Sequence, residues 1–231
     1  MRMHLMLASL LVGLVSAYGS TITLNSSSAV TFLDSGLVSV DFPSAFTGAN
    51  FTSAQTGTAA FVLTSTPFYV HSLPDGPGAV WIGTNSTAGA STGDTALYAI
   101  SFNLPSAVSS ASLNLFYAVD NVLGLSNPGI YINGTALPNS TGLVCSLCGS
   151  SFQQENNYTD PSIGSLLVTG TNWLYFDAVN QGGPAGLIFS ANINTASPGT
   201  VPEPASLSLL LTGGGLLAAL VLRRRWKAAR P

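Results

Sequence analysis

The side chains able to move a proton or bind a metal are sparse between residues 18 and 200: one histidine (His71), two cysteines (Cys145 and Cys148), one glutamate (Glu155) and seven aspartates. A Ser-His-Asp triad would have to use His71, which closes a strand-like run, and no Gly-x-Ser-x-Gly elbow is expected; a surface or turn histidine is the expected role. A glycosidase needs two carboxyl groups, one held protonated by an apolar site. Asp120 and Asp177 both end strand-like runs, where an aspartate ordinarily accepts hydrogen bonds from turn amides. No catalytic residue and no cofactor is therefore assigned. Cys145 and Cys148 form a Cys-x-x-Cys, two ligands short of a zinc site and without the αβ setting of a thioredoxin-like motif. In an exported chain the expectation is a local disulfide that pins a surface loop. Trp81, Tyr98, Tyr117, Tyr131 and Trp173 offer rings on which the CH face of a sugar could stack. Burial in a sandwich interior is the ordinary fate of strand aromatics, with Trp81 and Tyr131 nearest to loops.

These residues must be positioned by short strands. Runs rich in Val, Ile, Phe, Tyr, Leu and Thr recur between Gly, Pro, Asn and Ser clusters, and no stretch sustains a helical period, which is the pattern of a sandwich or barrel. Strands are expected at 37–42, 59–64, 67–71, 79–82, 96–103, 111–119, 129–133, 166–169, 172–179 and 186–193. Tyr98, Ile100, Phe102 and Leu104 alternate with smaller or polar neighbours, as do Leu113, Leu115, Tyr117 and Val119; both segments read as half-buried strands. Asn133-Gly134 favours a type I′ turn, because both central positions need positive φ, making 129–138 a hairpin.

Charge narrows the partners. All six cationic residues lie near the two ends, at Arg2, Arg223, Arg224, Arg225, Lys227 and Arg230, so the span 18–200 carries eight acids and a formal charge of 0 − 8 = −8. Nucleic-acid binding by this span is excluded, since phosphate neutralisation needs Lys or Arg. With only 6% charged residues, solubility must come from Ser, Thr, Asn and Gly. Six Asn-x-Ser/Thr sequons, at Asn25, Asn50, Asn85, Asn133, Asn139 and Asn157, match what that composition gives by chance.

Both ends read as targeting segments. Residues 1–17 run from Arg2 through an apolar stretch to Val15-Ser16-Ala17, a secretory signal peptide with its cut near Ala17. Residues 205–222 are uncharged and as a helix would span about 27 Å, close to a bilayer core. The basic tail 223–231 follows, which places that end in the cytoplasm and the body outside. Gly213 to Gly215 weaken such a helix by about 1 kcal/mol each relative to alanine, an odd choice for a permanent anchor. Before the helix, 196–204 forms a Pro-rich linker ending Pro202-Glu203-Pro204.

This order of Pro202-Glu203-Pro204, short membrane helix and Arg223-Arg224-Arg225 cluster resembles the PEP-CTERM sorting signal. The resemblance implies processing by an exosortase of a Gram-negative bacterium that makes extracellular polysaccharide. The chain would be anchored transiently in the inner membrane, cut near the motif, and released or attached at the surface. The body, over roughly residues 79–193, looks like the galactose-binding-like jelly rolls, on VWIGTNSTAG, LYAISFNLPSAVSSASLNLFYAVDN, GIYINGTAL and GTNWLYFDAVNQGGPAGLIFSANI. That resemblance implies an all-β, jelly-roll antiparallel sandwich over 18–195 with Asp120, Asn121 and Asn133 brought to one rim. Trp81 and Tyr131 complete the candidate ligand-binding set. No metal ligands are assigned, and the partners expected are the exosortase and an extracellular polysaccharide. Three functions are compatible with the sequence: a non-enzymatic exported structural or carbohydrate-associating protein, a secreted polysaccharide hydrolase, and a permanently membrane-anchored adhesin. A buried carboxylate pair in a cleft would favour the second, and survival of the helix in the mature protein the third.

Overall fold

A computed structural model describes residues 19–197 apart from Ser39, Phe68 and residues 144–151. The expected signal peptide, both cysteines, the sorting motif, the apolar run and the basic tail lie outside the described residues. The compact unit to which the described residues belong runs from Tyr18 to Ser197.

In chain order the elements are β1 (Gly19–Asn25), β2 (Thr31–Asp34), α1 (Gly48–Gln55), β3 (Thr58–Ala59), β4 (Phe61–Val62), β5 (Ile82–Gly83), β6 (Ala96–Leu104) and β7 (Ser110–Asp120). There follow β8 (Val122–Leu123), β9 (Ile130–Ile132), β10 (Thr135–Ala136), β11 (Asn156–Asp160), a 3₁₀ turn at Gly164–Leu166, β12 (Gly170–Val179) and β13 (Gly186–Ala196). The first sheet has the order β11-β7-β13-β5-β4, with β1 also on β13; the second has the order β10-β9-β12-β6-β2-β3, with β8 on β12. Every pairing is antiparallel, and the two sheets form a jelly-roll sandwich.

Period-two alternation fixes the core. Leu113, Leu115, Tyr117 and Val119 of β7 and Leu187, Phe189, Ala191 and Ile193 of β13 meet Tyr98, Ile100, Phe102, Leu174 and Phe176 of the second sheet. Phe176 and Phe189 pack with centroids 4.3 Å apart. Each sheet also carries a cover on its outer face. Leu63, Tyr69, Leu73 and Trp81 pack on Ala118 and Ile188 of the first sheet, and Phe51 and Ala54 of α1 pack on Leu97, Ala99, Tyr131 and Tyr175 of the second. Each cover reaches over only part of its sheet. The strand sequences record where it stops: outward residues turn from apolar to polar between Phe116 and Asn114 in β7, and between Ile188 and Asn192 in β13.

Several expectations are corrected. Residues 37–42 do not form a strand. β2 ends at Asp34, whose carboxylate accepts the Gly36 N–H at 2.8 Å in a turn with Gly36 at φ 65°, and the chain continues as a strap held by the Thr95 N–H on Leu37 O at 3.0 Å, the Thr95 hydroxyl on Val40 O at 2.8 Å and the Asp41 carboxylate. Residues 67–71 lie between Pro67 and Pro74, which cannot donate to a ladder, and are packed by Tyr69 instead. The 166–169 segment is the 3₁₀ turn and its exit. β1, β2, β8 and β11 were not expected, nor was α1. The hairpin is as expected: Asn133 and Gly134 adopt φ 49° and 82° between β9 and β10.

Candidate functional site

β12 sets out a row on the outer face of the second sheet. Trp173, Tyr175 and Asp177 all point outward, opposite Ser101, Ala99 and Leu97 of β6, and Tyr175 pairs with Tyr131 of β9. The row runs from open to sealed: Trp173 is half-buried, Tyr175 buried, and Asp177 wholly inaccessible.

At the open end lies a hollow of about 460 Å³, lined by Phe46, Phe51, Thr52, Gln55, Trp173 and Tyr175 with the Asn133-Gly134 turn at its margin. Trp173 and Tyr175 lie nearly parallel, 25° between planes and 6.4 Å between centroids. α1 forms the wall. Phe51 packs on Tyr175 at 4.8 Å and Tyr131 at 5.2 Å, and Gln55 Nε2 donates to the Tyr175 hydroxyl at 2.5 Å. Burial raises the Tyr175 pKa, so the phenol is neutral and keeps its own proton to donate. Among the described residues no carboxylate or cation lines the hollow. Asn133 shapes the margin without offering its amide: Nδ2 donates to Leu166 O and Asn172 Oδ1, both at 2.8 Å, and Oδ1 accepts the Trp173 N–H at 2.9 Å. Tyr131 lies beneath, 5% exposed, against Phe46 and Phe51.

At the sealed end a carboxyl pair sits under the strap. The Asp41 carboxylate accepts three backbone N–H groups, from Phe42 at 2.6 Å, Ser126 at 2.6 Å and Asn127 at 3.0 Å. Asp177 lies within hydrogen-bonding reach of Asp41, and among the described residues neither of its oxygens finds an N–H or hydroxyl donor. Burial first, and then the neighbouring Asp41 charge, push its pKa well above the usual carboxylate range, which keeps Asp177 protonated and able to donate to Asp41.

The other candidate residues gather elsewhere. Tyr69, Asp120, Asn121, Phe152, Gly182 and Pro184 line a second cavity of about 230 Å³ at the end of β7. The Tyr69 hydroxyl donates to Asp120 Oδ2 at 2.8 Å, while Oδ1 is buried without a partner; burial raises the Asp120 pKa to about 6, moderated by that hydrogen bond. Asn121 Oδ1 accepts the Gln181 N–H at 2.7 Å. Trp81, 4% exposed, donates its indole N–H to Val70 O at 2.7 Å and packs against Tyr69 with the rings tilted by 40°. The five candidates thus divide between two places, Tyr131 and Asn133 at the hollow and Trp81, Asp120 and Asn121 around the second cavity.

Sequence reasoning missed Phe46, Phe51 and Gln55, which depend on a helix with no periodic signal. It also passed over Gly89-Ala90-Ser91-Thr92-Gly93, which has the Gly-x-Ser-x-Gly spacing of a nucleophile elbow. The structure gives that segment no such use: the Ser91 hydroxyl donates to Thr87 O at 2.9 Å in a turn, and a strand follows where an elbow needs a helix. His71 is exposed. Among the described residues no group of three or more His, Cys, Asp or Glu side chains could hold a metal ion, and no helix is long and apolar enough to cross a membrane.

Residues 200–225 match the PEP-CTERM protein-sorting motif. No curated protein sequence matches the chain. Among solved structures it is similar to a family 35 carbohydrate binding module from Clostridium thermocellum, at 13% identity and a TM-score of 0.38, over 74% of this chain and 97% of that one. A CBM35 from Paenibacillus barcinonensis aligns at 14% identity and a TM-score of 0.35, over 72% of this chain and 95% of that one. The cleaved adhesin domain of Lys-gingipain from Porphyromonas gingivalis aligns at 10% identity and a TM-score of 0.35, over 78% and 99%.

Proposed function

We propose that this PEP-CTERM chain is exported from a Gram-negative cell, held briefly in the inner membrane, cut by an exosortase, and acts outside as a non-enzymatic structural and weakly carbohydrate-associating module. The observation that carries the carbohydrate reading is the hollow, where half-buried Trp173 beside Tyr175 forms a stacking floor ringed by uncharged polar groups. A pyranose needs an aromatic face for its CH groups and neutral donors and acceptors for its hydroxyls, and the hollow offers both. The hydrolase reading asks for a carboxyl pair that substrate can reach. Asp41 and Asp177 are a pair, but Asp177 is 0% exposed and Asp41 is occupied by three amides, which supports a role in holding the strap.

Affinity from one stacked ring and a few hydrogen bonds falls between millimolar and micromolar, about −4 to −8 kcal/mol. On a column of polysaccharide from the producing organism the full chain should be retarded, and retention should persist in molar salt because no ionised side chain lines the site. Trp173→Ala, in a protein that still melts cooperatively, should weaken retention about tenfold. Trp81 and Tyr131 do not serve this test, because truncating a buried aromatic costs about 3–5 kcal/mol of stability. Undiminished retention by Trp173→Ala would refute the hollow as the site, and release of reducing ends by the parent chain would move the reading to the hydrolase.

A further inference from the structure

Among the described residues nothing covers the outer face of the first sheet beyond Leu63, Tyr69, Leu73 and Trp81, and on this half side chains line up across strands. Thr23 of β1, Asn192 of β13, Asn114 of β7 and Thr159 of β11 share one row; Thr21, Asn194 and Ser112 share the next. The rungs are bonded in one sense. Thr21 Oγ1 donates to Asn194 Oδ1 and Thr23 Oγ1 to Asn192 Oδ1, both at 2.7 Å, and Asn157 Nδ2 donates to Asn114 Oδ1 at 2.7 Å. Each asparagine therefore spends its acceptor inside the array, and the side-chain nitrogens of Asn192 and Asn194 are left to donate outward, beside threonine oxygens that can still accept. Strands about 4.8 Å apart and same-face residues about 6.8 Å apart turn this into a grid of fixed polarity. The grid residues Thr21, Thr23, Ser112, Asn114, Asn192 and Asn194 include no ionisable group.

We infer that this Thr/Asn grid is a second glycan-binding surface, which takes a neutral polysaccharide chain laid across β1, β13 and β7. Rows of outward N–H donors and hydroxyl acceptors match the hydroxyls of a polysaccharide. A body charge of −8 with no Lys or Arg disfavours an acidic polymer, and the neutral grid gives a basic one no local counter-charge. The grid and the Trp173 hollow lie on the outer faces of opposite sheets, so one molecule can hold two polysaccharide chains and cross-link them; this last step rests on the carbohydrate reading of the hollow.

The test uses the full chain in a polyoxyethylene detergent, which carries no sugar headgroup, with one chain per micelle verified by sedimentation. The probes are galactomannan and mixed-linkage β-glucan, with alginate as the acidic control. Asn192→Val with Asn194→Val removes the outward amides, adds no charge and keeps strong strand formers in β13. In native gels containing a neutral probe, the parent should be retarded and the double variant should bind at least fivefold more weakly. Adding Trp173→Ala should abolish retardation, and alginate should retard none of the variants. Light scattering with the neutral probe should rise and then fall with protein concentration for the parent alone, as bivalent cross-linking requires. An unchanged double variant, with retention lost in Trp173→Ala, would overturn the grid and leave the hollow standing; the opposite pattern would keep the grid and refute the hollow. Absence of retardation by both neutral probes, or a dimeric parent that the double variant makes monomeric, would overturn the grid as a glycan surface, the latter by making it a self-association face.

Discussion

The carboxyl of Asp177 lies under the Asp41 carboxylate with no other donor or acceptor to satisfy it, and the sign of its effect on stability follows. Its folded-state pKa is raised, so the folded protein binds a proton that the unfolded chain releases near the ordinary aspartate value of about 3.9. The stability this group allows is fully present below that value and is lost as pH rises from there through the folded-state pKa. Asp120, raised to about 6, acts in the same direction between about 4 and 6. The melting temperature should therefore rise as a neutral solution is taken to pH 5. Asp177→Asn keeps the shape and can still donate to Asp41 without holding a titratable proton. It should stabilise the chain by about 1–3 kcal/mol at pH 7 and flatten the pH dependence. Circular-dichroism melts at pH 5 and pH 7.5 would check it, and an equally steep dependence in the variant would rule out Asp177 as the source.

α1 shows where element and site depend on one another. Asn50 Oδ1 accepts from the Thr47 N–H at 2.9 Å and the Thr47 hydroxyl at 2.7 Å, tying down the first turn of the helix that carries Phe51 and Gln55 to the hollow. Asn50→Ala should cost about 1 kcal/mol, seen as a lower urea midpoint at unchanged slope, and should weaken polysaccharide retention while Trp173 is intact. Such a helix leaves little trace in a sequence. Its eight residues bury only Phe51 and Ala54, too few for a period. The long strands were legible for the opposite reason: β6, β7, β12 and β13 bury one complete face, so alternation is imposed over nine to eleven residues. β1 was hidden because it is a short Ser/Thr-rich segment beside the expected signal-peptide cut; only its register on β13 shows that Thr21 and Thr23 complete a grid. Residues 37–42 misled because Val38, Val40 and Phe42 alternate, yet the two valines are exposed and Asp41 anchors the segment by its side chain. At the site, Asn133 was visible through its turn and Trp173 as a strand aromatic, whereas Tyr175, inside the expected strand 172–179, was not singled out. That the two rings share a floor depended on α1, which no local pattern announced.

The two ends of the folded body meet. Gly19 pairs with Ala196, and Ser109 N–H donates to Ala196 O at 2.8 Å, so the first and last strands close the sheet against each other. A signal-peptide cut after Ala17 falls just before the first pair, and a cut near Pro204 falls eight residues after the last (204 − 196 = 8). Neither cut removes a ladder hydrogen bond or a core side chain from the described body. Processing at both ends should therefore leave stability unchanged, with the melting temperature of the mature form within about 1 °C of the uncut chain's, since a 1 kcal/mol loss would already shift it by about 2–4 °C. A cut near Pro204 would remove Arg223, Arg224, Arg225, Lys227 and Arg230, and with Arg2 lost at the other end the mature protein would hold no Lys or Arg. Its charge would then be that of nine acids, −9, against −3 for the uncut chain, a difference that electrophoresis in a native gel resolves. Intact mass of the extracellular form should place the new C-terminus near residue 204, and the isoelectric point should fall below the uncut value of about 5.0. Recovery of Trp226-containing peptides from the mature extracellular protein would show instead that the C-terminal segment is retained, and with it the anchored adhesin.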